Sequence, residues 1–305
     1  MKIYDLIIIG TGPGGLATAL YAARYKMSVL IIGKEPGGTA ATAYTVCNYP
    51  GFDEITGPDL MMKMMNQVKK LGVDFKQEEV IDIKKEEEFK LKTNKTEYSG
   101  KKIIIATGLQ KAKIGLEKEG EFNGKGISYC ANCDARFYKN KIVGVAGGGN
   151  SALTAALLLS EFAKKVYIFY RQGKFFRAEN EWVKGVEDNQ KIESVFNTIV
   201  TRLEGKKKLE GIEIETSGVK KEIKLDGLFV EIGGISNIKL AKLLGIELDG
   251  NFIKVDKEQR TNIEGVFAAG DVTNNPLKQI VTACGEGAIA AFEVYKEYIK
   301  ERKKK

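Results

Sequence analysis

Asp5-Leu6-Ile7-Ile8-Ile9-Gly10-Thr11-Gly12-Pro13-Gly14-Gly15 is the stretch on which the fold turns. Its first half is a near-continuous apolar strand, its second half a glycine-rich turn, and an alanine-rich helical stretch runs on from Leu16 to Tyr25. Strand, glycine turn and helix in that order form the setting in which Gly-x-Gly-x-x-Gly holds a dinucleotide. Glycines let the backbone approach a pyrophosphate, and the helix N-terminus offers free amides and partial positive charge. A second strand, Ser28-Val29-Leu30-Ile31-Ile32, completes the βαβ unit. The acidic residue expected at its end for a ribose hydroxyl is replaced by Gly33, which leaves Glu35 as the candidate.

The pattern recurs. Lys141 to Ala146 reads as a strand, Gly147-Gly148-Gly149-Asn150-Ser151-Ala152 as the turn, Leu153 to Phe162 as the helix and Lys165 to Tyr170 as the next strand. Two such units predict an α/β protein of two Rossmann-like domains. Two further apolar strands end in small residues, Lys102 to Gly108 and Gly265 to Val272, which suits strand ends beside a bound cofactor. Asp271, near the end of the second of these, is placed to accept a hydrogen bond from a sugar-like hydroxyl.

Composition fits two domains: 305 residues are 43% apolar, enough for a core in each. The opening Met1-Lys2-Ile3 leads through Asp5 straight into the glycine turn, which reads as a buried strand rather than a signal peptide. No apolar run approaches bilayer length, and few cysteines fit a reducing interior, so a soluble cytoplasmic protein without a membrane role is expected. The net charge is +8, of which the tail Lys300 to Lys305 supplies +4; a solvated tail and ordinary surface lysines account for it, and nucleic-acid binding is not indicated. The chain has no histidine. Ser-His-Asp hydrolysis, His-ligated metals and His acid catalysis are excluded, and no metal site is expected.

Between the two glycine turns stands Cys130-Ala131-Asn132-Cys133-Asp134. A CxxC pair stores two electrons, because one thiolate attacks a disulfide and its neighbour resolves the mixed disulfide. Zinc would need further Cys or His ligands, and the chain has four cysteines in all, with Cys47 and Cys284 standing alone. Asp134 is a candidate proton donor to a departing thiolate or, alternatively, an N-cap after the turn.

These motifs, with Gly37-Gly38-Thr39, Asn48-Tyr49-Pro50-Gly51 and Ala106-Thr107-Gly108, resemble in order and spacing the low-molecular-weight thioredoxin reductases nearly end to end. The resemblance implies a split FAD domain, residues 1–109 with 240–305, enclosing an NAD(P) domain, residues 113–237, that carries the dithiol. By position, FAD would lie against Gly10, Gly12, Pro13, Gly14, Gly15, Gly33, Glu35, Gly38, Thr39, Asn48, Gly270, Asp271, Gln279 and Ile280. Thr39 stands where relatives often have Gln, a change that weakens one expected flavin hydrogen bond. NADPH would lie against Gly147, Gly149, Asn150, Ser151, Ala152, Arg171 and Arg177. The implied mechanism runs from nicotinamide to flavin to disulfide, with Cys133 facing the flavin, Cys130 attacking thioredoxin or a thioredoxin-like protein, and Asp134 as the acid. It also implies a homodimer, and an inserted domain that swings on connectors near Leu109 to Ile114 and Ser236 to Lys239.

NADPH-specific relatives show a His-Arg-Arg run followed closely by another Arg, whereas this chain reads Tyr170-Arg171-Gln172-Gly173-Lys174-Phe175-Phe176-Arg177. NADPH ranks first, NADH second and reduced ferredoxin third; a non-enzymatic dithiol sensor is the alternative of another class. Cys47, Cys284, Trp182 and the Phe175-Phe176 pair are read as packing residues.

Overall fold

The computed structural model describes residues 2–303, so Lys304 and Lys305 of the basic tail lie outside the described residues. The chain divides into two compact units, one of residues 1–41, 46–110 and 235–305, the other of residues 42–45 and 111–234. Where the chain leaves and re-enters the first unit, the strands Leu109–Lys111 and Gly234–Ser236 pair with each other.

In the first unit Ile3–Ile9 is a central strand, parallel to Val29–Ile32 on one side and to Glu97–Ile105 on the other. Leu6, Ile7 and Ile8 are all fully buried, and since consecutive side chains point to opposite faces, both faces of the sheet are covered. That is why the strand reads as an unbroken apolar run. Glu97–Ile105 takes two further partners: Phe89–Thr93 runs antiparallel to its first half and Val266–Ala268 parallel to its second. The helix Pro13–Arg24 follows the first glycine turn, and the long helix Ile280–Lys303 lies against it, joined where the buried Thr18 hydroxyl meets the carbonyl oxygens of Gly14 and Gly287 at 2.8 and 3.1 Å.

The second unit repeats the plan. Its five-stranded parallel sheet has the order Ile192–Val195, Lys165–Phe169, Ile142–Ala146, Gly227–Val230, Ile127–Ser128. The helix Asn150–Phe162 follows the second glycine turn, and Val143, Val145, Leu153, Leu159, Val166, Ile168 and Phe229 form the core beneath it. The α/β reading with two Rossmann-like units holds.

Both glycine-turn helices start about one turn earlier than Leu16 and Leu153, at Pro13 and Asn150. Pro13 at the first helical position has a φ already helical and no N–H to leave unpaired. Trp182 and Phe175 pack on the second unit's core as expected, but Phe176 is 55% exposed. Cys47 is exposed, not buried: Val46 forms a bridge with Ile55 and turns inward, which sends the next side chain out. Among the described residues no helix is long and apolar enough to cross a membrane.

Candidate functional site

The first glycine turn is built for close backbone approach. Gly10 has φ +124°, and a Cβ there would lie 2.0 Å from the Ala106 carbonyl oxygen, so only glycine fits. The helix that follows has Gly12 as its N-cap, no side chain capping it and no acidic residue in its first turn. Its N-terminal amides and partial positive charge are left for an anion. Gly33 explains the absent acid: a Cβ at that position would fall 2.5 Å from the Thr11 hydroxyl oxygen. The Glu35 side chain is exposed, while its carbonyl accepts from the Thr11 hydroxyl at 2.9 Å and shapes the loop in which Gly38 approaches Gly12.

The rest of the proposed FAD set gathers around this turn. A Cβ on Gly14 would sit 3.3 Å from the Ala283 carbonyl and 3.5 Å from that of Ala269, which puts the turn beside Gly270 and the start of the last helix at Ile280. Asn48 donates to Gln279 Oε1 at 3.1 Å. Thr39 donates to the Leu109 carbonyl at 3.1 Å. Glu286 accepts from the Gly270 amide at 2.7 Å and the Thr273 hydroxyl at 3.1 Å, fixing the backbone next to Asp271.

Asp271 itself makes no hydrogen bond among the described residues. Burial pushes its carboxyl up to about 6 against the pull of Lys278, with Glu286 adding to the rise. A half-buried carboxylate without a donor, one residue after Gly270, suits a ligand hydroxyl. The folded-state value lies above the ordinary carboxylate range, so in the protein without cofactor this group's contribution to stability is present at low pH and lost as pH rises through about 6. A ligand hydroxyl favours the ionised form, so FAD affinity is expected to rise with pH through the same window. Flavin titrations between pH 5 and 7.5 check this: Asp271→Asn should flatten the profile, and a wild-type affinity that falls with rising pH contradicts the assignment.

The second glycine turn has the same features. Gly147 has φ +142°, Gly149 caps Asn150–Phe162, and again no side chain caps the helix and its first turn has no acid. Ala152 is buried against the sheet and Ser151 is exposed. The Asn150 amide is engaged by Glu179, donating to Oε1 and accepting from the Glu179 N–H, both at 2.8 Å. Tyr170 stacks on Phe175 and Phe176, and the Arg177 guanidinium lies 5.3 Å from the Phe176 ring centre. Arg171, Lys174 and Arg177 are all exposed and none makes an ion pair among the described residues. Three cations and an aromatic ledge beyond a glycine turn suit the phosphate end of a dinucleotide. Lys174 was not singled out in the sequence, although it follows Gly173 directly.

The dithiol belongs to the second unit. Cys130 and Cys133 form a disulfide with Cα atoms 5.3 Å apart, at the start of the one-turn helix Ala131–Asp134. Cys130 is the N-cap of this turn: its Sγ accepts from the Cys133 N–H at 3.2 Å, while Asp134 stands at the N-cap position of the next turn, Ala135–Tyr138, without a capping bond from its side chain. The same N–H is placed to favour a Cys130 thiolate once the pair is reduced. Asp134, at the far end of the helix, accepts from the Ser128 hydroxyl at 2.7 Å. Tyr129, between Ser128 and Cys130, is pinned at both ends. Lys111 donates to its carbonyl and pairs with Glu231 at 3.1 Å, and the Tyr129 hydroxyl donates to Glu119 at 2.5 Å. Glu119 also accepts from the Ile114 and Gly115 amides at 2.8 Å each; against its burial, the Tyr129 hydroxyl and these amides hold its carboxyl below the usual range. The remaining cysteine, Cys284, lies against the Tyr49 hydroxyl and the Pro13 carbonyl, and burial pushes its thiol up to about 11, which keeps it a neutral packing group.

Comparison with known proteins matches residues 4–287 to the pyridine nucleotide-disulphide oxidoreductase family. The chain is 39% identical to the thioredoxin reductase of Bacillus subtilis (strain 168), over 98% of this chain and 96% of that protein. Among solved structures, Lactococcus lactis thioredoxin reductase in its FR conformation is 35% identical with a TM-score of 0.94, covering 97% of this chain and 99% of that one. T. acidophilum thioredoxin reductase is 37% identical with a TM-score of 0.92, over 98% and 100%.

Proposed function

The chain belongs to the pyridine nucleotide-disulphide oxidoreductase family, among the low-molecular-weight thioredoxin reductases, and we propose that it reduces the disulfide of a thioredoxin at the expense of NADPH, with FAD as its bound cofactor and Cys130/Cys133 as the outlet. The observation that carries this reading is the Cys130–Cys133 disulfide on a sheet that also holds a second dinucleotide turn. FAD, when bound, supplies two-electron exchange between a nicotinamide and a disulfide. The first unit, with Gly10 to Gly15 and Asp271, holds it; the second, with Gly147 to Ala152 and Arg171, Lys174 and Arg177, holds the nucleotide.

The residues of this chain do the rest. Two electrons and two protons convert the Cys130–Cys133 bond into two thiols. The Cys130 thiolate attacks the partner's disulfide, forming a mixed disulfide and releasing one partner thiolate. Cys133 then attacks Cys130 Sγ, which restores the internal disulfide and expels the second partner thiolate, so the partner gains the two electrons. Asp134 is the acid of this exchange, and no histidine competes for the role. Phe137, 73% exposed four residues after Cys133, offers the partner an apolar contact beside the sulfurs.

The test is anaerobic mixing with NADPH followed by oxidised thioredoxin, with repeated turnover expected. A flavin bleached by reduced ferredoxin and not by NADPH would favour the ferredoxin-dependent reading that Gln172 suggests, and one reduction without turnover would favour a sensor. Arg171→Ala and Arg177→Ala are each expected to raise KM for NADPH about tenfold, with KM for thioredoxin unchanged, because each removes a guanidinium from the 2′-phosphate. Equal KM values for NADPH in variant and wild type would count against that subsite. We place the protein in the reducing cytoplasm as a homodimer. Tyr21, Ile289 and Phe292 are exposed on the paired helices Pro13–Arg24 and Ile280–Lys303, an apolar face suited to a second copy. Glutamate at 289 and 292 should halve the mass measured by sedimentation; a wild-type monomer would refute the assignment.

A further inference from the structure

We propose that Ser128 is a positioning residue of the redox site, fixing the Asp134 carboxyl and tying it to the backbone of Cys130. Ser128 ends the strand Ile127–Ser128, its side chain is buried at 3% exposure, and its hydroxyl donates to Asp134 Oδ2 at 2.7 Å. The Ser128 Oγ in turn accepts from the Cys130 N–H at 3.1 Å. A hydroxyl has one proton to give, and the 2.7 Å contact to a carboxylate takes it in preference to the 3.3 Å contact to the Cys130 carbonyl. One side chain thereby joins the proton carrier to the attacking cysteine.

The arrangement leaves Asp134 Oδ1 without a hydrogen bond among the described residues. The carboxyl therefore has one oxygen anchored and the other available to carry a proton. A free Asp side chain on a one-turn helix samples several rotamers; the Ser128 bond selects one and holds it through the exchange. The strand end is itself held in place, because Tyr129 is pinned by Lys111 and Glu119, so Ser128 transmits the position of the sheet to the acid. In the transfer, the proton leaves Asp134 for the departing partner thiolate as Cys130 Sγ bonds to the partner's other sulfur. Ser128 keeps its own proton throughout.

This inference rests on the reading of Asp134 as the acid, and a double-mutant cycle separates the two. In the FAD-loaded protein, Ser128→Ala is expected to lower kcat with thioredoxin about tenfold with KM within about twofold, and Ser128→Thr, which keeps the hydroxyl, to recover most of it. On an Asp134→Asn background, Ser128→Ala should change kcat less than about twofold, since the bond it removes no longer serves an acid. The rate at which dithiothreitol opens the Cys130–Cys133 disulfide, read by alkylation and mass spectrometry, should fall in parallel with kcat while FAD content stays constant. If Ser128→Ala costs the same factor on both backgrounds, or if Ser128→Thr is as slow as Ser128→Ala, the positioning role is overturned. If Asp134→Asn alone leaves kcat intact, the acid assignment fails first.

Discussion

Replacing either Cys130 or Cys133 by serine is expected to lower thioredoxin reduction by at least about three orders of magnitude while leaving FAD binding and NADPH-driven flavin reduction intact. The size of the loss follows from the chemistry. In the proposed exchange Cys130 forms the bond to the partner and Cys133 breaks it, and a serine hydroxyl can neither store the electron pair nor leave as a stable anion near neutral pH. The two variants differ in how they fail. Cys133→Ser keeps the attacking sulfur and should accumulate a covalent complex with thioredoxin, whereas Cys130→Ser should accumulate none. Neither side chain belongs to an apolar core, Cys133 being exposed and Cys130 half-buried, so unfolding is not an expected route to inactivity. Unchanged turnover in either variant, or a covalent complex from Cys130→Ser, would contradict the assignment.

The second large effect is at Gly10. Gly10→Ala should abolish FAD binding and destabilise the first unit by roughly 3 kcal/mol or more, because the added methyl must occupy a position 2.0 Å from the Ala106 carbonyl at a φ of +124°. Two penalties act together: a backbone conformation that side chains avoid, and overlap with a backbone oxygen held in the neighbouring strand by the Ala106 N–H to Ile9 bond of 2.7 Å. Gly149→Ala is the control. Nothing lies within 4 Å of a Cβ at that position, so folding should be unaffected and only the nucleotide that approaches this turn should bind more weakly. Thermal melts with and without FAD check both, and a Gly10→Ala protein with wild-type flavin content would refute the cradle.

These effects separate what could be read along the chain from what could not. The glycine turns were legible because strand, turn and helix are contiguous and each residue's requirement is local: Gly10 for its φ, Pro13 for the first helical turn, the Ile7-Ile8-Ile9 run for a sheet covered on both faces. Gly33 was visible as an anomaly, but its cause is the Thr11 side chain on a different segment, a contact no spacing rule predicts. Ser128 escaped notice for a related reason. It lies six residues from Asp134, across a strand end and a one-turn helix, and a serine before a CxxC pair has no motif of its own. The Lys111, Glu119 and Glu231 supports of Tyr129 come from still farther along the chain and depend on how the strands and the short helix Glu119–Phe122 fold together. Exposure was the other blind spot: Cys47 and Phe176 look like core residues by type, and only strand register and loop direction turn them outward. The second unit's claim on residues 42–45 is likewise a tertiary fact.

The most direct test of the account counts thiols through one cycle. Wild-type protein loaded with FAD is treated anaerobically with NADPH, alkylated and digested, and the same is done after one equivalent of oxidised thioredoxin. The account predicts that NADPH exposes both sulfurs of the Cys130–Cys133 pair to alkylation and that thioredoxin returns them to the disulfide while gaining two thiols itself. A pair that stays closed under NADPH and under every other donor tried, or one that opens and is not closed again by thioredoxin, would contradict it.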